Sequence, residues 1–220
     1  MNKYNDSYMH KAGLPRYDRL ISIKTNDSEK KCILISFTYR KYDNNIYNNS
    51  LLKKNLENLL SDKSLIHFLQ NRNIDLIYIQ HHFDFLRKRP FNPNNFPYIK
   101  YRNQTFLSHY IEHCSLLVTD FSTVSFDFMF LNKPVLFYLI DLKDNLEFEE
   151  KDYMKYDKNN NIFFGLDFVD KNLLIKKIKY YTMRNFKIEN NLKKKYESLF
   201  YYKYNITGRV IDIINKIIES

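Results

Sequence analysis

The sequence has few cysteines and little glycine, and the cysteine shortage excludes a class of protein. Only two cysteines, Cys32 and Cys114, occur in 220 residues, and both lie in or beside apolar runs, where a thiol packs as a small hydrophobic side chain. A secreted protein built on disulfides is therefore not expected. The 3 glycines accompany an abundance of Asn, Lys, Ile and Tyr, a composition that indicates genomic base bias more than function.

Long hydrophobic runs are also missing. The opening MNKYNDSYMH contains no signal-peptide core, and no later run approaches the roughly 18 apolar residues of a membrane span. We therefore expect a soluble or peripheral protein, cytoplasmic by default. The formal net charge of +10 implies an acidic partner, which could be a nucleotide, a phosphate polymer, an anionic membrane surface or nucleic acid.

Short apolar runs alternate with helical patterns through the middle of the chain. Strands are predicted at 32–38, 75–80, 97–101, 115–120 and 134–141. Helices are predicted at 50–60, after Ser61 or Asp62, at 104–113, from Ser122 onward and in the C-terminal third, with loops at 42–50 and 87–97. This alternation predicts an α/β fold with a parallel sheet flanked by helices.

In such a sheet, functional groups gather at the carboxyl ends of the strands. Polar side chains stand at or just beyond these predicted ends: Arg40, His81, His82, Asp120, Ser122 and Asp141.

The string TDFSTVSFDF, residues 119–128, is the strongest candidate site. A buried strand ends on Asp120, and Ser122 and Thr123 take the N-cap and first turn of the next helix. This arrangement would present backbone amides, hydroxyls and a positive dipole end to an anion. The alternative is that Ser122 only caps its helix.

The whole string resembles the TDYSS-x-x-FD and KP signature of the CDP-glycerol glycerophosphotransferase family of teichoic-acid and capsule synthesis. Phe121 and Thr123 replace a Tyr and a Ser of the family pattern. GLPRYD, residues 13–18, looks like the family's G-x-P-R-x-D element, and SFTYR is similar to its P-T-W-R segment. The residues that match the signature are Asp120, Ser122, Phe126, Asp127, Lys133 and Pro134.

The resemblance implies a GT-B glycosyltransferase-like fold, in which two Rossmann-like domains hold a nucleotide donor on the C-terminal one. Residues 31–220 would form that Rossmann-like donor domain, and residues 1–30 a linker and remnant of the interdomain region. The implied activity transfers glycerol phosphate, or a related polyol phosphate, from a CDP-linked donor to teichoic acid or capsular polysaccharide. The CDP-glycerol-like donor is a substrate, and neither a cofactor nor a metal is expected.

The resemblance also implies roles for individual residues. Ser122 and Thr123 would bind the donor's diphosphate beside Asp120, and Asp127 would orient a ribose or glycerol hydroxyl. Arg40 would neutralise phosphate charge, for which a guanidinium is well suited; its alternative is a solvated loop charge. The catalytic or phosphate-stabilising histidine would be His82 or His81. Because adjacent side chains on an extended segment point to opposite sides, at most one of them faces the cleft, and His82 is slightly favoured.

The family also carries a histidine in an HG-type motif upstream of G-x-P-R-x-D, which is the proposed base for the acceptor hydroxyl. His10, the only histidine before that element, lacks the motif. The expectation is a truncated chain, a fragment partnered by a separately encoded N-terminal half, or a donor-binding domain that is inactive alone.

Two other patterns offer rival functions. His109, Glu112 and His113 match the H-x-x-E-H zinc-protease string, but no third ligand is indicated. Between Lys171 and Lys203 there are ten Lys or Arg against two Glu, interleaved with aromatics. A solvated face is the simplest interpretation, followed by peripheral attachment to the anionic inner face of the cell membrane, where a lipid-linked or phosphate-polymer acceptor would be met. Nucleic acid is not an expected partner.

Overall fold

A six-stranded parallel sheet organises the protein. The computed structural model describes residues 10–22, 30–40, 44–86, 91–140 and 166–219. In the described residues the sheet has the order β3-β2-β1-β4-β5-β6, and every neighbouring pair is parallel. The strands are β1 Cys32–Ser36, β2 Asp75–Ile79, β3 Ile99–Arg102, β4 Leu116–Thr119, β5 Val135–Tyr138 and β6 Leu166–Phe168.

Helices cover both faces of the sheet, which is why the strands are almost continuously apolar. Ile33 and Ile35 of β1 pack into one core, while Leu34 packs into the core on the opposite face. The predicted parallel sheet flanked by helices is therefore confirmed. The helices are α1 Arg16–Ser22, α2 Asn44–Asn49, α3 Leu51–Leu60, α4 Lys63–Gln70, α5 His82–Leu86, α6 Leu107–His113, α7 Val124–Phe130, α8 Lys171–Met183, α9 Asn190–Ser198 and α10 Ile206–Glu219.

Local sequence signals account for the starts of several helices. Ser50 caps α3 by accepting a hydrogen bond from the Lys53 amide. Of the two predicted caps of α4, Ser61 and Asp62, it is Asp62 that caps the helix, through the Leu65 amide. The prediction of a loop at 42–50 was wrong for α2, whose Tyr47 is buried against the core. The strand predicted to end at Asp141 ends at Tyr138, and Asp141 itself lies outside the described residues, as do 87–90 of the predicted basic loop.

Helix α1 belongs to the body of the fold. Tyr17 and Leu20 are buried in the same core as Leu34, although residues 1–30 were predicted to be linker. Asp18 accepts hydrogen bonds from the amides of Ile206, at 3.0 Å, and Thr207, at 2.7 Å. Asp18 therefore supplies an acceptor to the first turn of α10, nearly the full chain length away.

The two cysteines are free and buried, as the sequence predicts. Cys32 opens β1, Cys114 follows α6, and their sulfur atoms lie 2.8 Å apart. Burial raises the pKa of the Cys114 thiol well above its ordinary value. Both thiols therefore serve as part of the core.

Lys133 is a half-buried cation with a structural role. Its Nζ donates to the carbonyl oxygens of Ile111, at 2.9 Å, and Glu112, at 2.6 Å, and so satisfies the carboxyl end of α6. Burial lowers the pKa of Lys133 to about 8.

This lowered pKa predicts a pH dependence of stability. Between about pH 8 and pH 10.5 the unfolded lysine still holds its proton while the folded one loses it, so the free energy of unfolding should rise with pH. In urea titrations over this window, the slope for the wild type should exceed that of Lys133→Met by up to about 1.4 kcal/mol per pH unit. Tyrosine titrations are shared by both proteins and cancel; equal slopes would contradict the prediction.

Candidate functional site

The strand order places a crevice between β1 and β4, where connections leave the sheet in opposite directions. Ligands of open α/β sheets bind in such a crevice, outside the carboxyl ends of the strands. A cavity of about 440 Å³ lies there, which we call the donor cavity. Its lining residues come from four regions, namely Arg16 of α1, the strand ends Ser36–Thr38 and His81, the segment with Gln104, Leu107, Ser108 and Ile111, and Phe121–Val124 with Asp127.

A buried ion pair fixes the two loops that border the crevice. Arg40 Nη2 lies 2.7 Å from Asp120 Oδ2, and both side chains are nearly inaccessible, at 1% and 0% exposure. Asp120 Oδ1 accepts hydrogen bonds from the Thr38 amide, at 2.8 Å, and the Thr38 hydroxyl, at 2.9 Å. Arg40 also donates to the Thr38 carbonyl. Arg40 and Asp120 thus join the loops after β1 and β4, and their direct contact with a donor phosphate stays a prediction.

Ser122 and Thr123 line the donor cavity, but the helix begins later than predicted. Helix α7 starts at Val124, and Thr123 stands at its N-cap without a side-chain capping bond. Among the described residues, the Ser122 hydroxyl accepts a long 3.5 Å contact from the Val124 amide, while the Ser122 carbonyl accepts a hydrogen bond from the Ser125 hydroxyl. The Ser122 hydroxyl is therefore weakly engaged within the protein and lies at the cavity wall.

Asp127 is buried one turn into α7 and is held by Arg16. The Arg16 Nε donates to Asp127 Oδ1 over 2.7 Å, with side-chain exposures of 52% and 7%. Burial raises the pKa of Asp127, and the hydrogen bond and charge of Arg16 oppose that rise. Arg16 therefore keeps a carboxylate in the cavity wall while half of the guanidinium side chain remains open to solvent.

Three of the four fixed positions of the element GLPRYD, namely Gly13, Arg16 and Asp18, have a physical role. Gly13 adopts a φ of +88°, and an added Cβ there would lie 3.1 Å from Ile206 Cγ2. Arg16 pairs with Asp127, and Asp18 caps α10. In the sequence, this element was matched to the family pattern, but none of its residues was predicted to belong to the site. The Arg-x-Asp spacing within the element was the sequence feature that could have indicated such a role.

Substituting Gly13 tests the close packing of this segment on α10. Gly13→Ala forces an L residue into the left-handed region and pushes its Cβ against the buried Ile206. We expect the free energy of unfolding to fall by about 1 to 2 kcal/mol, measured by urea denaturation. Ala12→Ser, one position earlier, is the control and should unfold like the wild type. An unchanged Gly13→Ala protein would show that the segment is not held as described.

The two adjacent histidines differ in position. The half-buried His81 lines the donor cavity, whereas His82 is exposed, begins α5, and takes no part in that lining. The Phe83 amide donates to His81 Nδ1 over 3.2 Å, so in the neutral ring the proton resides on Nε2. Burial lowers the pKa of His81. The geometry thus favours His81 as the histidine that faces the cavity. From the sequence, His82 was slightly favoured.

The zinc-protease string does not assemble a ligand set. His109 and His113 stack with ring centroids 4.1 Å apart, but Glu112 pairs with Arg19 at 2.6 Å. Within the part of the chain that the structure describes, no group of three or more His, Cys, Asp and Glu side chains is placed to hold a metal ion.

The aromatics interleaved with the basic C-terminal residues mostly face the core. Tyr181, Phe186 and Tyr196 are buried, while Tyr201 is 82% exposed. Several lysines are engaged by neighbouring acids, such as Lys171 with Asp62 at 2.8 Å. Across the described ranges, none of the helices has the length and apolar character needed to cross a bilayer.

Comparison with known proteins agrees with the motifs and the fold. "Minor teichoic acid biosynthesis protein GgaB" of Bacillus subtilis (strain 168) is 26% identical over 206 residues, which are 87% of this chain and 21% of GgaB. "Teichoic acid glycerol-phosphate primase" of the same organism is 30% identical over 151 residues, which are 63% of this chain and 35% of the primase. The chain therefore spans about a third or less of these curated relatives.

Solved structures of the wall teichoic acid polymerase TagF share the architecture. One aligns with a TM-score of 0.62 and 17% identity, covering 98% of this chain and 54% of TagF. A TagF variant soaked with CDPG aligns equally well, at a TM-score of 0.62 and 17% identity, covering 98% of this chain and 52% of that one. The predicted GT-B-type, Rossmann-like fold is confirmed.

The family model described as CDP-Glycerol:Poly(glycerophosphate) glycerophosphotransferase matches residues 1–216. This match covers nearly the whole chain and includes both the TDFST string and the GLPRYD element. The chain belongs to the CDP-glycerol:poly(glycerophosphate) glycerophosphotransferase family.

Proposed function

We propose that this chain binds a CDP-linked polyol donor in the donor cavity and supports transfer of its polyol phosphate to a surface polymer. The observation that carries the proposal is the convergence of Ser122, Thr123, His81 and Arg16 on one cavity at the switch point of the sheet, in a member of the glycerophosphotransferase family. Hydroxyls and cations are suitable partners for a diphosphate.

In the proposed reaction, an acceptor hydroxyl oxygen forms a new bond to the donor's β-phosphorus. The bond from that phosphorus to the bridging oxygen breaks, and CMP leaves with the electron pair. The hydroxyl proton passes to a general base, a role that the resemblance assigns to a histidine of an N-terminal domain. The chain's own contribution is positioning and charge stabilisation.

Individual side chains have defined tasks in this proposal. Ser122 and Thr123 bind the diphosphate oxygens, and the Nε2 proton of His81 is available as a donor to the transferred phosphate. Asp127, with Arg16 beside it at 2.7 Å, accepts a hydrogen bond from a ribose or glycerol hydroxyl. Arg40 and Asp120 hold together the loops after β1 and β4, which border the donor cavity.

Calorimetric titration of the chain with CDP-glycerol, CDP-ribitol and UDP-sugars, paired with an assay of CMP release, tests the proposal. We expect a cytidine donor to bind more tightly than the UDP-sugars. Failure to bind any cytidine nucleotide would contradict the donor-site assignment. Binding without CMP release would favour the alternative of a non-catalytic donor-binding half that needs a separate N-terminal chain.

The acceptor is proposed to be a phosphate-containing or lipid-linked polymer met at an anionic membrane. The net charge of +10 supports attraction to such a surface. Helix α10 adds a row of exposed apolar side chains, with Ile211, Ile214 and Ile218 at 52%, 49% and 77% exposure, as in helices that lie at a bilayer interface.

Flotation with anionic liposomes, compared with DNA retention at the same salt concentration, tests the membrane proposal. We expect flotation with anionic but not neutral liposomes, and release at high salt. Equal retention on DNA would indicate general attraction to anions, and no flotation would contradict the membrane proposal.

A further inference from the structure

A second cavity, of about 690 Å³, adjoins the donor cavity. The two cavities share Arg16 and Thr123 in their walls. The remaining wall of the second cavity comes from residues 10–14 ahead of α1, from Tyr17 of α1, from Phe126 of α7, and from residues 199–202 between α9 and α10. A ligand in the second cavity would therefore lie next to the reacting end of a donor.

The charge of the second cavity suits an anion. His10, Lys11 and Arg16 contribute basic side chains, and among the described residues no carboxylate belongs to its lining. Arg16 is the cation common to both cavities, and its pairing with Asp127 leaves the side chain 52% exposed. Repeated phosphates along a bound chain would find cations both in the cavity and at its junction with the donor.

Aromatic rings form another part of the wall of the second cavity. Tyr17 stacks on Phe130 with centroids 4.2 Å apart, and Phe200 packs edge-on against Tyr17 at 5.5 Å, so these two rings are held in place. Tyr201 is 82% exposed and so presents most of its surface to solvent beside them. Such rings offer an apolar body and a polar hydroxyl, which matches the C–H and O–H groups of a polyol.

We propose that the second cavity is the acceptor subsite and binds a chain of polyols joined by phosphodiesters. This inference rests on the proposed function, since it assumes a donor in the adjoining cavity. The wall offers basic side chains for the anionic phosphates and aromatic side chains for the C–H-rich polyols of such a chain. Arg16 positions the end of the acceptor chain next to the donor's phosphates.

The test measures binding of a synthetic glycerol phosphate trimer, with and without CDP-glycerol. Lys11 and Tyr201 are exposed and line the second cavity but not the donor cavity. Lys11→Ala and Tyr201→Ala should each weaken trimer binding by about fivefold and leave CDP-glycerol affinity unchanged. Lys203→Ala and Tyr204→Ala are the matched controls, because neither residue lines the second cavity, and they should bind the trimer like the wild type.

The possible results distinguish failure of the proposed function from failure of the acceptor subsite. Loss of CDP-glycerol binding in the wild type would refute the proposed function itself. A donor that binds while the trimer does not would refute only the acceptor subsite. Competition between trimer and CDP-glycerol would place the trimer in the donor cavity and overturn the inference, as would equal effects of the test and control variants. Tripolyphosphate and triglycerol should bind more weakly than the trimer, and an equally tight tripolyphosphate would overturn the polyol assignment.

Discussion

Replacing Arg40 by methionine should lower the free energy of unfolding by about 3 to 5 kcal/mol, because the substitution leaves the Asp120 carboxylate buried without its cation. Arg40 Nη2 lies 2.7 Å from Asp120, with both side chains at 1% exposure or less. Urea denaturation at neutral pH measures the change. The loops after β1 and β4 should loosen together, since Asp120 also accepts both hydrogen bonds of Thr38.

Two further variants make this prediction specific. Lys53→Met removes a cation that is 30% exposed and lies 4.0 Å from a carboxylate oxygen of Glu57, and it should cost no more than about 1 kcal/mol. The double variant Arg40→Met with Asp120→Asn should be more stable than Arg40→Met alone, because the uncompensated charge is gone. An Arg40→Met protein as stable as the Lys53→Met control would show that the pair does not hold the crevice together.

Replacing His81 by alanine should weaken CDP-glycerol binding by about tenfold to a hundredfold, the effect of losing a hydrogen bond to a charged group. His81 lines the donor cavity, and its Nδ1 is occupied by the Phe83 amide, so Nε2 is the nitrogen that can donate to a phosphate. Isothermal titration calorimetry measures the two dissociation constants.

The neighbouring histidine supplies the control. His82→Ala changes an exposed side chain next in the chain and should leave the affinity unchanged. A second readout comes from pH: burial holds the pKa of His81 below its ordinary 6.5, so the ring becomes cationic only as pH falls through that lowered value. Donor affinity of the wild type should then rise, and the rise should be absent in His81→Ala. A larger loss from His82→Ala would reverse the assignment.

The strands that form the centre of the sheet could be predicted from the sequence because burial on both faces gives them continuous apolar runs. β1 with its five buried residues and β4 with four are examples. The edge strand β6, Leu166–Phe168, was not predicted, since three residues carry too little pattern. Helix α2 was missed because the Asn-rich composition favours loops, while the burial of Tyr47 is a tertiary effect.

The site could be predicted in part. The segment with Ser122, Thr123 and Asp127 follows a strand end, and the position of the cavity there follows from the parallel topology. A local sequence pattern cannot predict which side chains pair with each other when they are far apart in the chain. The contact between Arg16 and Asp127 spans 111 positions, and the one between Thr38 and Asp120 spans 82. The choice between His81 and His82 likewise depends on how the chain turns into α5.

The capping of α10 by Asp18 determines where a self-sufficient form of this domain can begin. A polypeptide started at residue 31, the predicted domain boundary, would lose the acceptor for the Ile206 and Thr207 amides. It would also leave Asp127 as a buried carboxylate without Arg16 and uncover the core that Tyr17 and Leu20 close. Any excised or transplanted form of this domain should therefore start ahead of Gly13.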